Sequence, residues 1–355
     1  MKKTTLAILS LFAALSLSVS CGRPAENTKS LLWKISGNGL EQPSYLFGTW
    51  HGDTELRGGS FLDSVPHFYR AFDAAQAYVG EVVVIPTLQG TNTRNDNNRI
   101  PDYVLLPGDT TYKDLLDAER LTQLDSLLFQ ISGNTTQDLK IRPSVLLFFI
   151  RQDSIEAKVN THVQRKLADL ASRRGEMDDS LYFKQRTRIL SEKDVMDVYL
   201  QKYALQQSKE LIGLDDMVGS TPSAMYSLPI SHQEAAEALI DFLSGHDTLD
   251  YMNLRSAGSS GKIAAYRAQD LSKFQQENQK ILHAYDNKIP SHMVSYLDDV
   301  MKEVSTDRTR KWMEVLPGIM QEQSAFVAVG VGHLGGPDGL IDLLRRAGYT
   351  VEPVL

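Results

Sequence analysis

The fold class is decided by one stretch near the end of the chain, AFVAVGVGH at residues 325–333. Its first five residues, 325–329, are all apolar, which is typical of a strand buried on both faces of a parallel sheet. Gly330 and Gly332 follow, and His333 closes the stretch. Because a sheet covered on both faces needs helices on each side, the stretch predicts an α/β fold.

The residues after His333 predict a helix and a further strand. Pro337 is expected in the first turn of the helix, Arg345 and Arg346 lie near its negative end, and Gly348 ends it. Residues 350–354 read as a last strand. The C-terminal part therefore has the strand–helix–strand order of α/β proteins.

The N-terminal part predicts strands that complete the same sheet. Residues 31–35 and 44–47 are short apolar strands around a glycine turn, so 31–49 read as a hairpin. Apolar residues at helical spacing predict a helix over 61–75, and residues 77–85 predict a buried strand. Hairpin, helix and strand together indicate a right-handed crossover, so we expect the second hairpin strand and 77–85 to be adjacent and parallel.

The middle of the chain is dominated by the helical period from about residue 110 to 320. Within this middle part, residues 211–215 form a possible short strand and residues 256–261 form a flexible break. Residues 86–100, which precede it, form a polar loop. The sequence thus predicts an α/β fold with a mixed central sheet built from the N- and C-terminal segments and a large helical insert. We expect one domain over 30–355, divided into 30–100, a mainly helical 101–300, and 301–355.

Composition excludes several classes of protein. The 355 residues include 37 Lys and Arg against 44 Asp and Glu, a formal net charge of −7, which argues against nucleic-acid binding. A single cysteine, Cys21, excludes an intramolecular disulfide and a multi-cysteine zinc site. Three further motifs are absent: His-Glu-x-x-His, Gly-x-Ser-x-Gly and a complete phosphate-binding loop.

The first 21 residues predict export from the cytoplasm. Lys2 and Lys3 precede an uncharged, Leu-rich run that is too short and too rich in serine for a membrane span, so 1–20 read as a signal peptide. Cys21 follows small residues, as in a bacterial lipobox, and is the expected lipidation site, with 21–29 as a polar tether. We expect a lipid-anchored protein of the bacterial cell envelope, periplasmic or associated with the outer membrane. The alternative is an ordinary signal peptide with an incidental cysteine.

Two matching motifs suggest where chemistry takes place. Gly48-Thr49-Trp50-His51 and Gly330-Val331-Gly332-His333 each end a predicted strand at the sheet edge where α/β proteins bind ligands. Glu81 is a charge within an otherwise apolar strand. Two histidines and a carboxylate can hold a divalent metal ion with an open coordination position. The alternative for each histidine is a hydrogen-bonded turn residue.

The motif residues also carry a resemblance to a known family. Residues 32–35 and 43–51, the run 326–334, the Gly-Pro-Asp-Gly-Leu after it and the landmark 213–215 resemble the TraB/GumN family over about 30–355. The family is similar to the Tiki proteases and, more remotely, to the erythromycin esterase and ChaN-like group (EreA/ChaN-like fold). The resemblance implies a peptidase that depends on a divalent metal ion (Mn, Co or Zn), with His51, Glu81 and His333 as its metal and catalytic set.

Arg308 is a further residue that the resemblance singles out. Family members have an Arg-Asn pair in a helix before the last strand, and here Arg308 is followed by Thr309. Arg308 would stabilise an oxyanion or fix a substrate carboxylate. Its alternative is a surface salt bridge.

These features predict a metal-dependent hydrolase of the cell envelope that acts on a peptide or protein. His51 and His333 would hold the metal ion, and Glu81 would be a third ligand or the general base. Two alternatives remain open at the level of sequence. One is a haem- or peptide-binding lipoprotein without turnover, and the other is a structural lipoprotein with a vestigial pocket.

Overall fold

The computed structural model describes residues 29–51, 56–85, 104–137, 139–215, 230–246, 259–283 and 291–355. Cys21, the predicted signal peptide and the predicted loop 86–100 lie outside the described residues. Within them, no helix is both long enough and apolar enough to cross a membrane.

The described strands alternate with helices at both ends of the chain, and helices dominate between them. The strands are Leu32–Ser36 (β1), Ser44–Thr49 (β2), Ala77–Gly80 (β3), Glu210–Gly213 (β4), Ala325–Gly330 (β5) and Thr350–Pro353 (β6). The helices are Phe68–Ala74 (α1), Tyr112–Leu115 (α2), Ala118–Ser132 (α3), Pro143–Ser172 (α4), Asp179–Ser191 (α5), Met196–Gln206 (α6), His232–Leu243 (α7), Ser259–Arg267 (α8), Leu271–His283 (α9), Ser291–Met301 (α10), Arg308–Glu322 (α11) and Leu340–Arg346 (α12).

The strands form one mixed sheet in the order β4-β3-β5-β2-β1-β6. Strands β4, β3, β5 and β2 run parallel to one another, whereas β1 is antiparallel to both β2 and β6. The predicted mixed sheet from both ends of the chain is thereby confirmed, as are the hairpin and the helix-rich middle.

The predicted adjacency of β2 and β3 is wrong, because β5 lies between them. Phe326 is level with Tyr45 of β2 on one side and with Tyr78 of β3 on the other. Residues 325–329 are all fully buried, as a strand with a neighbour on each side and helices on both faces must be. The apolar run thus occupies the centre of the sheet, and the crossover from β2 to β3 passes over it.

The predicted strand 77–85 ends early, at Gly80. Its last pairs join Gly80 to Ala328 of β5 and to Gly213 of β4. Beyond them the Gln201 side chain of α6 donates to the carbonyl of Val82 and accepts from the N–H of Val84, so these backbone groups are satisfied without a neighbouring strand. Glu81 is therefore the first residue after the strand and not a charge within it.

Three helix boundaries also differ from prediction. The expected helix 61–75 is broken into a 3₁₀ turn at Leu62–Ser64 and α1, because Pro66 disfavours the helical conformation at the residue before it. The expected break at 256–261 is partly wrong, since residues 259–261 begin α8. Pro337 lies before α12 and not in its first turn, with Gly339 at the cap position.

Two apolar cores hold these elements together. The larger one packs the sheet against α1, α6, α8, α9, α11 and α12. The smaller one lies among α2, α3, α4 and α7, within the helical middle of the chain. Because the carboxyl ends of the parallel strands are flanked by α6 and α11 of the larger core, side chains from those helices can reach the edge of the sheet.

Candidate functional site

The carboxyl ends of four neighbouring parallel strands each lead directly into a polar side chain. Glu81 is the first residue after β3, and Asp215 follows β4 by two positions. His51 follows β2 by two positions, and His333 follows β5 by three. Ligands of open α/β sheets bind at this edge, so the topology gathers these four residues where chemistry is expected.

The three residues predicted to form the site converge on Gly330, the last residue of β5. A Cβ atom placed on Gly330 would lie 3.1 Å from Glu81 Oε1, 3.4 Å from His51 Cε1 and 3.7 Å from His333 Cδ2. A side chain there would crowd the Glu81 carboxylate. The first glycine of the second Gly-x-x-His motif therefore makes room for the site.

Arg308, at the start of α11, connects two of the carboxylates. Its Nη2 donates to Glu81 Oε2 at 2.8 Å and to Asp215 Oδ2 at 2.7 Å, and its Nε also donates to Asp215 at 3.1 Å. The Arg308 side chain is 14% exposed. Arg308 consequently belongs to a largely buried ion-pair cluster, which excludes the surface salt bridge as its role.

Glu81 is held as a carboxylate by its surroundings. Burial raises its pKa, but the positive charges that His51 and His333 carry once protonated in acid, the Arg308 guanidinium and the hydrogen bond from the Gly330 N–H together outweigh burial and lower the pKa to about 2. The Gly330 N–H donates to Glu81 Oε1 at 2.7 Å. Glu81 thus carries a negative charge at neutral pH.

His333 is buried and neutral at pH 7. Burial lowers its pKa to about 4, because the cost of burying a charged imidazolium outweighs its attraction to Glu81 and Asp215. Its ring packs on Trp312 with centroids 4.5 Å apart, and its Nδ1 lies 2.7 Å from Thr309 Oγ1. Its Nε2 is 3.8 Å from Glu81 Oε1, which is beyond hydrogen-bond distance.

His51 lies at the open side of the site and contacts a residue that the sequence did not indicate. Its side chain is 43% exposed, and its Nε2 lies 2.8 Å from Asp197 Oδ2. Thr49 contacts both groups: its Oγ1 is 3.0 Å from His51 Nε2 and donates to Asp197 Oδ1 at 3.0 Å. Asp197 is therefore a fourth charged residue of the site, contributed by the first turn of α6.

Three residues of the site were missed as functional residues, to different degrees. Asp215 lies in the Gly-Leu-Asp landmark, so its place at a strand end could have pointed to it. Thr309 was noticed only as a departure from the family pattern. Asp197 carries no sequence signal, because its position depends on how α6 packs beside β3. Trp50, within the first Gly-x-x-His motif, packs in the core at 7% exposure, against Tyr266 and Phe274.

The donor atoms of the site suit a divalent cation in type and charge. Among the described residues, no group of three or more His, Cys, Asp or Glu side chains is arranged closely enough to hold a metal ion. Nonetheless, an imidazole nitrogen of His333 and a carboxylate oxygen of Glu81 face each other without a hydrogen bond between them. Arg308 pairs with the carboxylates of Glu81 and Asp215, and Asp197 adds a third carboxylate beside His51, so the site has more carboxylates than guanidinium groups. These residues fit a divalent ion in donor chemistry.

Comparison with known proteins places the chain in a family. Neither the curated proteins nor the solved structures contain a match. The model of the TraB/PrgY/gumN family matches residues 31–353, which include β1 to β6 and every residue of the site described above. The chain therefore belongs to the TraB/PrgY/gumN family.

Proposed function

We propose that the protein is a divalent-metal-dependent hydrolase, specifically a peptidase, of the bacterial cell envelope. The observation that carries the proposal is the convergence of His51, Glu81 and His333 around Gly330 at the carboxyl edge of the sheet. The same three residues were singled out by the resemblance. Agreement between two independent lines, the motif and the geometry, supports a shared role for them.

His51, Glu81 and His333 would hold the metal ion, and Asp197 would orient His51. A bound divalent ion supplies Lewis acidity, which polarises a carbonyl group and lowers the pKa of water. A carboxylate that contacts a ligating imidazole is the usual outer partner of such a site, and Asp197 stands in that relation to His51.

The low pKa of Glu81 favours a ligand role over a general-base role. The Arg308 guanidinium and the Gly330 N–H both donate to the Glu81 carboxylate, so it accepts a proton weakly at neutral pH. Arg308 supports this assignment, because its Nη2 and Nε are bonded to Glu81 and Asp215. We therefore assign Arg308 to holding Glu81 in place and not to binding a substrate oxyanion.

The test of this proposal is cleavage of a peptide library by the purified protein, with and without a chelator. We expect cleavage that the chelator abolishes and that Mn²⁺, Co²⁺ or Zn²⁺ restores. Glu81→Gln should reduce the rate by about 10- to 100-fold, whereas His246→Gln, which changes an exposed histidine after α7, should not change it. Cleavage that survives the chelator and Glu81→Gln would refute the proposal.

The envelope location rests on Cys21 and has its own test. A lipid-modified Cys21 would tether the domain through residues 21–29 to a membrane. Incorporation of labelled palmitate into the protein in bacterial cells is the expected result, and Cys21→Ser should abolish it. Labelling that persists in Cys21→Ser, or none in the unchanged protein, would remove the anchor from the proposal.

A further inference from the structure

Thr309 makes two short contacts from a fully enclosed position. Its side chain is buried at 1% exposure in the first turn of α11. Its Oγ1 lies 2.6 Å from the carbonyl oxygen of Ser305, one turn back, and 2.7 Å from Nδ1 of His333. Both distances are those of good hydrogen bonds.

The two contacts together determine where the hydrogen atoms lie. A hydroxyl group has one hydrogen to donate, and a carbonyl oxygen can only accept. The Thr309 hydrogen must therefore point to Ser305, as in the usual back-bonding of helical threonine. The Oγ1 atom is then left to accept from the histidine, which requires a hydrogen on Nδ1 of His333.

We propose that Thr309 is a positioning residue that fixes His333 as its Nδ1–H tautomer and so directs the unprotonated Nε2 toward Glu81. The alternative tautomer would carry a hydrogen on Nε2, and that hydrogen could bond to Glu81 Oε1 and occupy both groups. The separation of 3.8 Å between Nε2 and Oε1 agrees with two acceptor atoms that share no hydrogen. The significance of this tautomer for metal binding rests on the proposed function; the tautomer itself does not.

The surrounding elements hold the pair in register. The π-helical turn Lys302–Asp307 immediately precedes α11, and such turns are frequent at functional sites. After it, the consecutive residues Arg308 and Thr309 contact the two neighbouring groups Glu81 and His333. Trp312, one turn further along α11, packs on the imidazole ring and restricts its rotation. One helical turn therefore holds both the Glu81 carboxylate and the His333 ring in place.

Nitrogen NMR of the full chain, labelled with ¹⁵N at histidine and kept at neutral pH with a chelator, tests the tautomer. The His333 signals are assigned by their loss in His333→Gln. We expect a protonated Nδ1 and an unprotonated Nε2 in the unchanged protein and in Thr309→Ser, which retains the hydroxyl. In Thr309→Val, which has the same shape without the hydroxyl, the signals should move toward the Nε2–H tautomer. The His51 signals should stay the same in both variants and serve as the internal control.

Several outcomes would overturn the inference. A protonated Nε2 in the unchanged protein would overturn it without any variant. The inference can therefore be tested even if Thr309→Val fails to fold. Unchanged His333 signals in a folded Thr309→Val also overturn it, as does loss of the tautomer in Thr309→Ser.

Metal affinity gives a second readout of the same variants. Titration with Zn²⁺ should show affinity reduced roughly 10- to 100-fold in Thr309→Val and close to the original in Thr309→Ser. If the unchanged protein binds no metal but shows the Nδ1–H tautomer, the proposed function fails and the role of Thr309 stands. If it binds metal and shows the Nε2–H tautomer, the role of Thr309 fails and the proposed function stands.

Discussion

Glu81 is a largely buried carboxylate that keeps its charge because of its contacts with neighbouring groups. His51 and His333 in their protonated forms, Arg308, which is shared with Asp215, and the Gly330 N–H together stabilise the ionised form more than burial destabilises it. His333 is neutral because burial, which raises the pKa of a carboxyl group, lowers the pKa of an imidazole. His51 and His333 could be predicted from the sequence because each follows a recognisable strand, and Glu81 because it is a charge in an otherwise apolar run. Asp197 could not, because a lone aspartate on a helix has no pattern that distinguishes it from a solvated one.

Removal of Arg308 should destabilise the protein, because it leaves the largely buried carboxylates of Glu81 and Asp215 without their partner. We expect Arg308→Met to lower the free energy of unfolding by about 3–5 kcal/mol. The neighbouring Arg310, whose pair with Asp338 is exposed, is the matched control, and Arg310→Met should cost no more than about 1 kcal/mol. Urea denaturation measures both. Equal effects of the two variants would mean that the cluster at Arg308 is no stronger than a surface pair.

The pKa values of His333 and Glu81 predict a loss of stability in acid, with chelator present. His333 has a folded pKa of about 4, below its ordinary value, so the unfolded chain takes up the proton first and stability falls as the pH falls from about 6.5 to about 4. Glu81 also has a lowered pKa, about 2, so its stabilisation is complete above the ordinary pKa of a glutamate and is lost as the pH falls toward 2.

A comparison of urea midpoints at pH 7 and pH 5 isolates the histidine contribution. His333→Gln should lose less stability than the unchanged protein between these values, since it has no buried imidazole to protonate. The difference should be on the order of 1–3 kcal/mol. An identical loss in both proteins would contradict the neutral, buried state of His333.

At the scale of elements, local pattern predicted what the strands are but not how they are ordered. The apolar run 325–329 and the hairpin 31–49 are recognisable in isolation. The insertion of β5 between β2 and β3 depends on pairing between residues far apart in the chain, and hydrophobic periodicity does not encode such pairing. The early end of β3 has a similar cause, because Gln201 comes from a distant helix to satisfy the backbone at Val82 and Val84.

Replacement by alanine should affect stability differently at Gly48, which begins the first Gly-x-x-His motif, and at Gly332, which lies inside the second. A Cβ on Gly48, in β2, would lie 2.9 Å from Leu334 Cδ2 and 3.1 Å from Val331 Cβ, close enough to force the turn after β5 to move. We expect Gly48→Ala to destabilise the protein by about 1–3 kcal/mol. Gly332→Ala is the control, because a Cβ at Gly332 meets no atom within 4 Å. Thermal unfolding distinguishes them, and a stable Gly48→Ala would show that the close contact between β2 and this turn is not needed.

For the molecule as a whole, the two ends of the chain close a single sheet. Strand β5 pairs with β2 and β3, and β6 pairs with β1. His51 and His333 are consequently neighbours only in the complete fold, although one lies near residue 50 and the other near the end of the chain. A ligand that bridges them should stabilise the entire domain, because it binds the folded state and not the unfolded one.

Metal binding to the purified protein decides whether His51, Glu81 and His333 form a metal site. Calorimetric titration of chelator-treated protein with Mn²⁺, Co²⁺ and Zn²⁺ in turn should show one ion bound per chain for at least one of them. His51→Gln, Glu81→Gln and His333→Gln should each weaken that binding by at least about 10-fold, and His246→Gln should leave it unchanged. Absence of binding for all three ions, or binding that is unaffected by the three site variants, would contradict the account.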